Sequence, residues 1–309
     1  MTLKSGARYL SAAAVCAAAL GGRVRPADAA AADSRSYSVT VSGPATVRSI
    51  IFIPGLMCPG EVWTAAAARF GAAYRVHVLT LSGFAGRPPV AGDTFLPRVR
   101  DELIDYIRDE RLDHPIIVGH SLGGFLAFWV AATAPDLVGP IVAVDGLPFM
   151  PALMAPTATA AMMQPQASQM RALFASMTSG QFAAQSRLSL PAMISDPASV
   201  ERAAAWAASS DPGTVGRAMA EMLTTDLRDD VARIHSPALL IGAAKDAAGA
   251  DALARLTKAY EAQVARAPHA SVLMARQARH FIMLDDPTFL FAAIDAFLDG
   301  KPVGSPEER

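Results

Sequence analysis

The stretch IIVGHSLGG at residues 116–124 runs from an apolar, strand-like segment into a histidine, a serine and a pair of glycines. It contains the pattern G-x-S-x-G around Ser121 and leads into a helical pattern, LGGFLAFWVAATA. A sharp strand-to-helix turn needs glycines on both sides of its central residue, because the two backbones approach closely there. The pattern therefore predicts a nucleophile elbow with Ser121 at its tip. The backbone N–H of Leu122, at the start of the helix, is placed to stabilise an oxyanion.

The elbow lies within an alternation of short apolar runs and longer helical patterns. A run of consecutive apolar residues is typical of a strand that is buried on both faces of a parallel sheet. The intervening segments are long enough for crossover helices, so the pattern predicts an α/β fold with a mostly parallel, twisted sheet. The predicted strands are YSVTVS (37–42), SIIFI (49–53), YRVHVL (74–79), PIIVG (115–119), PIVAV (140–144), PALLIG (237–242) and SVLMA (271–275).

Two helices of the alternation have clear sequence signals. After Asp93 and Thr94, apolar residues recur at four-residue spacing, which predicts an amphipathic helix that ends near Leu112. Near the carboxyl end, Asp286 is expected to cap a final helix that has Pro287 in its first turn.

Residues 147–230 interrupt the alternation, since they contain no strand-like run and nine of the 13 methionines of the chain. We interpret this segment as a helical cap inserted between two strands. Methionine is flexible and polarizable, so the cap is expected to line an adaptable apolar pocket. The predicted core then comprises residues 37–146 and 231–300, followed by a polar tail at 301–309.

With the elbow in this context, the chain resembles the α/β-hydrolase family over roughly residues 37–300. The resemblance implies that a second oxyanion N–H comes from the loop after an earlier strand, here IFIPGLMCPGEVW. Pro54 and Gly55 stand where many members have His-Gly, so the matching donor is Leu56, with Met57 next in line. The resemblance also implies that the base is His280, in the stretch ARHFIMLDDP between the last strand and the last helix.

The acid that orients the base has two candidates. Asp145 ends the strand after the elbow, 24 residues beyond Ser121, and resembles the acid of some haloalkane dehalogenases and related hydrolases. Asp246 follows the strand that most members use, but it comes four residues after Gly242 rather than three, and 34 residues before His280. We favour Asp145 and keep Asp246 as the alternative.

The amino-terminal segment has the layout of a secretory signal. Lys4 and Arg8 precede a short apolar stretch, and the small residues of ADA follow at Ala27 to Ala29. The apolar part is too short for an ordinary membrane span, which takes about 20 residues. We expect cleavage near Ala29, removal of residues 1–29, and a periplasmic or secreted protein without stable membrane insertion. Cys58 would then be the single cysteine, which excludes an intramolecular disulfide.

Composition and motifs narrow the function classes. The formal net charge is −1 over 309 residues, so there is no basic excess for nucleic acid. The chain contains no HExxH, CxxC, GxGxxG or P-loop motif, so we expect neither a metal nor a cofactor. A small hydrophobic molecule is the expected partner, and the sequence does not indicate an oligomeric state.

The first hypothesis is an exported serine hydrolase that cleaves a carboxylic ester with a hydrophobic acyl or alcohol part through an acyl-enzyme on Ser121. A cofactor-free perhydrolase or haloperoxidase-like enzyme, an acyltransferase or a C–C bond hydrolase could use the same residues. Serine rather than aspartate at the elbow does not support a dehalogenase mechanism. The alternative from another class is a catalytically inert, hydrolase-fold binding protein.

Overall fold

Seven strands form one sheet in the computed structural model, which describes residues 35–303. The sheet order is β1-β3-β2-β4-β5-β6-β7; β1 is antiparallel to β3, and all other neighbours are parallel. The predicted signal at residues 1–29 lies outside the described residues. The strands are β1 Tyr37–Ser42, β2 Ser49–Ile53, β3 Arg75–Leu81, β4 Ile116–His120, β5 Ile141–Val144, β6 Ala238–Ala243 and β7 Ala270–Ala275.

Eleven α-helices are found among residues 35–303, together with three short 3₁₀ turns at Gly60–Trp63, Leu190–Ala192 and Asp230–Arg233. The helices are α1 Thr64–Phe70, α2 Leu96–Asp109, α3 Leu122–Thr133, α4 Pro151–Met154, α5 Ala160–Ser176, α6 Ser179–Ser189, α7 Pro197–Ala208, α8 Pro212–Thr224, α9 Ala250–Val264, α10 Ile282–Asp285 and α11 Pro287–Leu298.

The central strands are apolar along their whole length because both faces of the sheet are covered. Strands β2, β4 and β5 are buried at every position. Alternate side chains enter two separate cores: Ile51 and Ile117 pack on one face, and Phe52 and Val118 on the other. The apolar runs in the sequence correspond to this two-sided burial, and the α/β prediction is confirmed.

The last helix begins as its sequence predicts, since the Asp286 carboxylate accepts the Phe289 N–H at 3.0 Å and Pro287 occupies the first turn. Helix α2 differs from its prediction because it starts at Leu96 rather than directly after Thr94. Its cap is supplied from elsewhere in the chain, by the carboxylate of Glu221, which accepts the N–H groups of Phe95 and Leu96 at 2.8 and 2.6 Å.

Helices α4 to α8, from Pro151 to Thr224, lie between β5 and β6 in the chain, and we call them the cap. Besides Glu221, a second carboxylate joins cap and core: Asp285 accepts both the N–H of Ser195 at 2.9 Å and its hydroxyl at 2.7 Å. Between residues 35 and 303, no helix is long and apolar enough to cross a membrane.

Candidate active site

Ser121 lies in the tight turn between β4 and α3. Its backbone has φ 53° and ψ −116°, a conformation that non-glycine residues rarely adopt and that is concentrated at functional sites. The turn depends on absent side chains: a Cβ on Gly119 would lie 2.0 Å from the Gly123 carbonyl oxygen, and one on Gly123 would lie 2.3 Å from that of Ile53. The two glycines of the motif therefore allow helix, strand and neighbouring loop to meet around the serine.

His280 follows β7 and points one ring nitrogen at a carboxylate. Its Nδ1 lies 2.6 Å from Oδ2 of Asp145, the residue directly after β5. This pairing leaves Nε2 of the imidazole free of the carboxylate, as a base for a serine hydroxyl requires. Ser121, Asp145 and His280 line the same cavity, although they are 24 and 135 residues apart along the chain.

Asp145 is held ionised by its surroundings. Its other oxygen, Oδ1, accepts the Tyr260 hydroxyl at 2.5 Å and the Ala243 N–H at 2.9 Å. Burial acts to raise the pKa of this carboxyl, but the hydrogen bond and charge of His280, with the bonds from Tyr260 and Ala243, hold the pKa below its ordinary value. Burial and the Asp145 charge raise the pKa of Tyr260, so that its hydroxyl remains a donor.

Asp246, the alternative acid, forms no hydrogen bond with the imidazole. Its carboxylate is paired with the Arg279 guanidinium at 3.1 Å, and its side chain is 64% exposed, against 10% for Asp145. Asp246, which comes four residues after Gly242 rather than three, thus faces solvent and Arg279. Of the two predicted acids, the structure brings only Asp145 to His280.

The segment that carries His280 is fixed by neighbours on both sides. The Arg279 N–H donates to Asp285 at 2.9 Å, and the Phe281 N–H donates to the carbonyl oxygen of Met193, in the cap, at 3.2 Å. The position of the imidazole is therefore tied to the docking of the cap.

The predicted oxyanion loop lies against the elbow. Ile53 is opposite Gly119 in the sheet, and a Cβ on Gly55 would be 3.3 Å from that of Ser121. The Leu56 N–H makes no turn or loop hydrogen bond among the described residues, and the Leu122 N–H is the first of its helix and has no intrahelical acceptor. Both donors remain available for an oxygen of a bound molecule.

The cavity above Ser121 has a volume of about 470 Å³. Met150 and three methionines of the cap line it, as the Met-rich sequence predicts, whereas Met154 and Met162 of the same segment are largely exposed. Among the described residues, Asp145 is the only carboxylate in its wall, and the wall contains no lysine or arginine. The wall includes Met150, directly before the cap, and the cap residues Leu153, Phe174, Phe182, Gln185, Ser186, Ser189, Leu190, Met193, Ala203, Ala207, Val215, Met219 and Met222.

Two residues near the site were not predicted from the sequence, and one of them, Tyr260, has a role there. Tyr260, on α9, supports Asp145 from 115 residues away, and no local pattern distinguishes it from a packing residue. Cys58 lines the cavity, but burial raises its pKa to about 12, so it remains a thiol and competes poorly as a nucleophile.

Comparisons with known proteins identify the family of the chain. The model of the alpha/beta hydrolase family matches residues 50–294. A pimeloyl-[acyl-carrier protein] methyl ester esterase of Aliivibrio salmonicida is 29% identical over 99 residues, which are 32% of this chain and 36% of that protein. A putative carbamate hydrolase of Serratia proteamaculans is 29% identical over 103 residues, 33% and 39% of the two chains. The chain thus spans well under half of the length of these curated relatives.

Solved structures show the same fold over nearly the whole described chain. A hydrolase from Pseudomonas aeruginosa superimposes with a TM-score of 0.68 at 18% identity, covering 85% of this chain and 94% of the other. An enol-lactonase from Burkholderia xenovorans gives 0.67 at 15% identity, with 85% and 96% covered. Together with the family match over residues 50–294, the sheet order and the elbow, these findings establish that the chain belongs to the alpha/beta hydrolase family.

Proposed function

We propose that the protein is a serine hydrolase of carboxylic esters, with Ser121 as nucleophile, His280 as general base and acid, and Asp145 as the group that orients His280. The observation that carries the proposal is the 2.6 Å contact between His280 and an ionised Asp145, in a cavity that also contains the strained elbow serine.

The proposed reaction begins with attack of the Ser121 hydroxyl oxygen on the acyl carbon, while Nε2 of His280 takes the hydroxyl proton. The Leu56 and Leu122 N–H groups bind the oxyanion of the tetrahedral intermediate. Collapse breaks the ester C–O bond, and His280 returns the proton to the leaving alcohol. Water then attacks the acyl-enzyme with the same base, and the acid leaves as Ser121 recovers its proton.

The cavity wall supports a hydrophobic acyl or alcohol part in the substrate. Leucine, methionine and phenylalanine side chains of cap and core surround the space in front of Ser121. Burial of apolar substrate surface there contributes about 25 cal/mol per Å². The ester-cleaving relative, a pimeloyl-[acyl-carrier protein] methyl ester esterase, is in line with an ester substrate.

A fluorophosphonate probe tests the nucleophile. We expect covalent labelling of the wild-type protein, and none of a folded Ser121→Ala variant. A parallel series of p-nitrophenyl esters from acetyl to decanoyl should show turnover that depends on chain length. Absence of labelling in well-folded wild-type protein would overturn the enzyme proposal in favour of a binding protein. Labelling without turnover of any ester would instead redirect the substrate class.

We also propose that the protein is exported, on the basis of the signal-like pattern that ends at Ala29. Expression of the full chain in a bacterial host, followed by fractionation and amino-terminal sequencing, tests this point. The expected result is a periplasmic or secreted product that begins directly after Ala29. An uncleaved chain that stays in the cytosolic fraction would contradict it.

A further inference from the structure

We infer that His120 is a positioning residue, which fixes the positions of the His280 segment and the oxyanion loop relative to Ser121. The inference rests on the proposed function of that site and adds a residue to it.

The side chain of His120 lies where three functional segments meet. It is the chain neighbour of Ser121, and its Nε2 lies 3.1 Å from the main-chain carbonyl oxygen of His280. Its ring centroid is 4.7 Å from the ring of His280 and 4.6 Å from that of Phe281. On its other side, a Cβ on Gly55 would be only 2.6 Å from its Nδ1, so the ring also contacts the oxyanion loop directly.

The hydrogen-bond chemistry fixes the state of this imidazole. A carbonyl oxygen can only accept, so Nε2 must carry the proton. His120 is 1% exposed, and burial, with charge on His280 as a smaller cause, lowers its pKa well below the ordinary value. His120 is therefore neutral, with its Nδ1 lone pair buried and unpartnered against Gly55.

A buried acceptor without a partner has a cost, which suggests that the contact at the other nitrogen is what requires a histidine here. The only hydrogen bond of this ring, among the described residues, goes to the residue that carries the proposed base. Because catalysis depends on sub-ångström placement of base and nucleophile, loss of this bond should affect turnover more than substrate binding.

Asparagine and glutamine at this position form a matched pair for the test. Both are polar and uncharged, but only the longer glutamine amide reaches the position of Nε2; asparagine reaches only that of Nδ1. Labelling of one sample with the fluorophosphonate probe first gives the concentration of sites with a reactive Ser121. The kinetics of one neutral ester are then measured on unlabelled protein, and kcat is calculated from that concentration. His120→Phe adds a variant that keeps the ring and removes the donor.

We expect His120→Asn and His120→Phe to lower kcat by about 10- to 100-fold with KM changed less than threefold, and His120→Gln to recover kcat to within about fivefold of wild type. If His120→Phe does not fold, the asparagine–glutamine pair decides. Equal kcat in these two variants, or equal changes of kcat and KM, would overturn the inference.

A second readout does not need turnover. The proton between His280 Nδ1 and Asp145 should give a sharp low-field NMR signal in the wild type and in His120→Gln, and a broadened one in His120→Asn. The same signal in all three proteins would contradict a positioning role. Because wild-type labelling is measured separately, failure of this inference is distinct from failure of the proposed hydrolase.

Discussion

At the scale of single residues, the two candidate acids differ clearly in their contacts. Asp145 receives three hydrogen bonds, from His280, Tyr260 and the Ala243 N–H, whereas Asp246 forms an exposed ion pair with Arg279. An asparagine keeps the shape of either side chain but removes its charge. Asp145→Asn and Asp246→Asn therefore compare two carboxylates of which only Asp145 is hydrogen-bonded to His280.

We expect Asp145→Asn to lower kcat for ester hydrolysis by about 10³- to 10⁴-fold, because the imidazole loses the charge that fixes its tautomer and stabilises its protonated form. Asp246→Asn is the control and should stay within about threefold of wild type, since an exposed ion pair contributes little. Steady-state kinetics with one ester checks both variants. A larger loss in Asp246→Asn than in Asp145→Asn would reverse the assignment.

The elbow glycines allow a second test at this scale. A Cβ on Gly119 would meet a helix-backbone oxygen at 2.0 Å, and neither the strand nor the helix can move away cheaply. We expect Gly119→Ala to cost at least about 3 kcal/mol of unfolding free energy, measured in urea. Gly180→Ala, on α6, is the matched control, because nothing lies within 4 Å of its added methyl group. Equal stability of the two variants would show that the turn has room.

The sequence predicts single residues of the site where a local pattern exists. Ser121 follows from strand, turn and helix within ten positions, and His280 from the family resemblance, which implies a base between the last strand and the last helix. The pairing of His280 with Asp145 and not Asp246 depends on where α9 places Tyr260 and where Arg279 turns. Those are tertiary contacts without a local signature, so the sequence left the two acids open.

At the scale of elements, the central strands β2, β4 and β5 were predictable because burial on both faces of the sheet requires apolar residues at nearly every position. The start of α2 was not, since the acceptor of its first N–H groups is the carboxylate of Glu221 on α8. Glu221 lies 125 residues from Leu96 in the chain, so only the fold shows that its carboxylate accepts the Leu96 N–H. Burial raises the pKa of Glu221 despite these bonds, so this docking point sits in a desolvated contact between cap and core.

We therefore expect Glu221→Ala to destabilise the protein by about 1–2 kcal/mol, because two N–H groups at the start of α2 lose their acceptor. Urea unfolding at neutral pH measures the change. Glu261→Ala is the control: this residue is an exposed glutamate on α9, and its removal should shift the unfolding free energy by less than about 0.5 kcal/mol. Similar losses in both variants would mean that the cap does not depend on Glu221.

At the scale of the whole molecule, two buried neutral histidines couple folding to pH. Burial, with the charge of Arg75, lowers the pKa of His77 to about 4, and the pKa of His120 is also well below its ordinary value. Unfolded histidine titrates near ~6.5. Between these values the unfolded chain binds more protons than the folded one, so stability falls as pH falls, by about 1.4 kcal/mol per pH unit for each histidine.

The variant His77→Asn should take up about one proton fewer on unfolding. The slope of the unfolding free energy against pH should therefore be smaller by about 1.4 kcal/mol per pH unit between pH 6 and pH 4.5. Its amide can keep the contact that His77 Nδ1 makes with the Tyr106 hydroxyl at 2.7 Å, so the comparison isolates the titration. Urea unfolding of wild type and variant at several pH values gives the two slopes. Parallel slopes would show that His77 accepts a proton in the folded protein.

The cavity as a whole predicts a preference for uncharged substrates. Its apolar wall offers no Lys or Arg partner from residues 35–303 and includes the ionised Asp145, so a carboxylate inside would be desolvated without compensation. The p-nitrophenyl ester of hexanoic acid and the mono-p-nitrophenyl ester of adipic acid have acyl chains of the same length and differ in the charge at the end. We expect kcat/KM to be about 100-fold higher for the hexanoyl ester.

Gln185, which lines the cavity from α6, offers a way to supply the missing charge. Gln185→Arg should narrow the difference between the two esters by about tenfold, because the guanidinium pairs with the terminal carboxylate. Ala184→Arg adds the same charge on the neighbouring exposed position, which is not part of the wall, and should leave the ratio within about twofold of wild type. If both arginines change the ratio equally, long-range attraction rather than the cavity wall sets the preference. If wild type already cleaves both esters at equal rates, the acyl chain does not bind in this cavity.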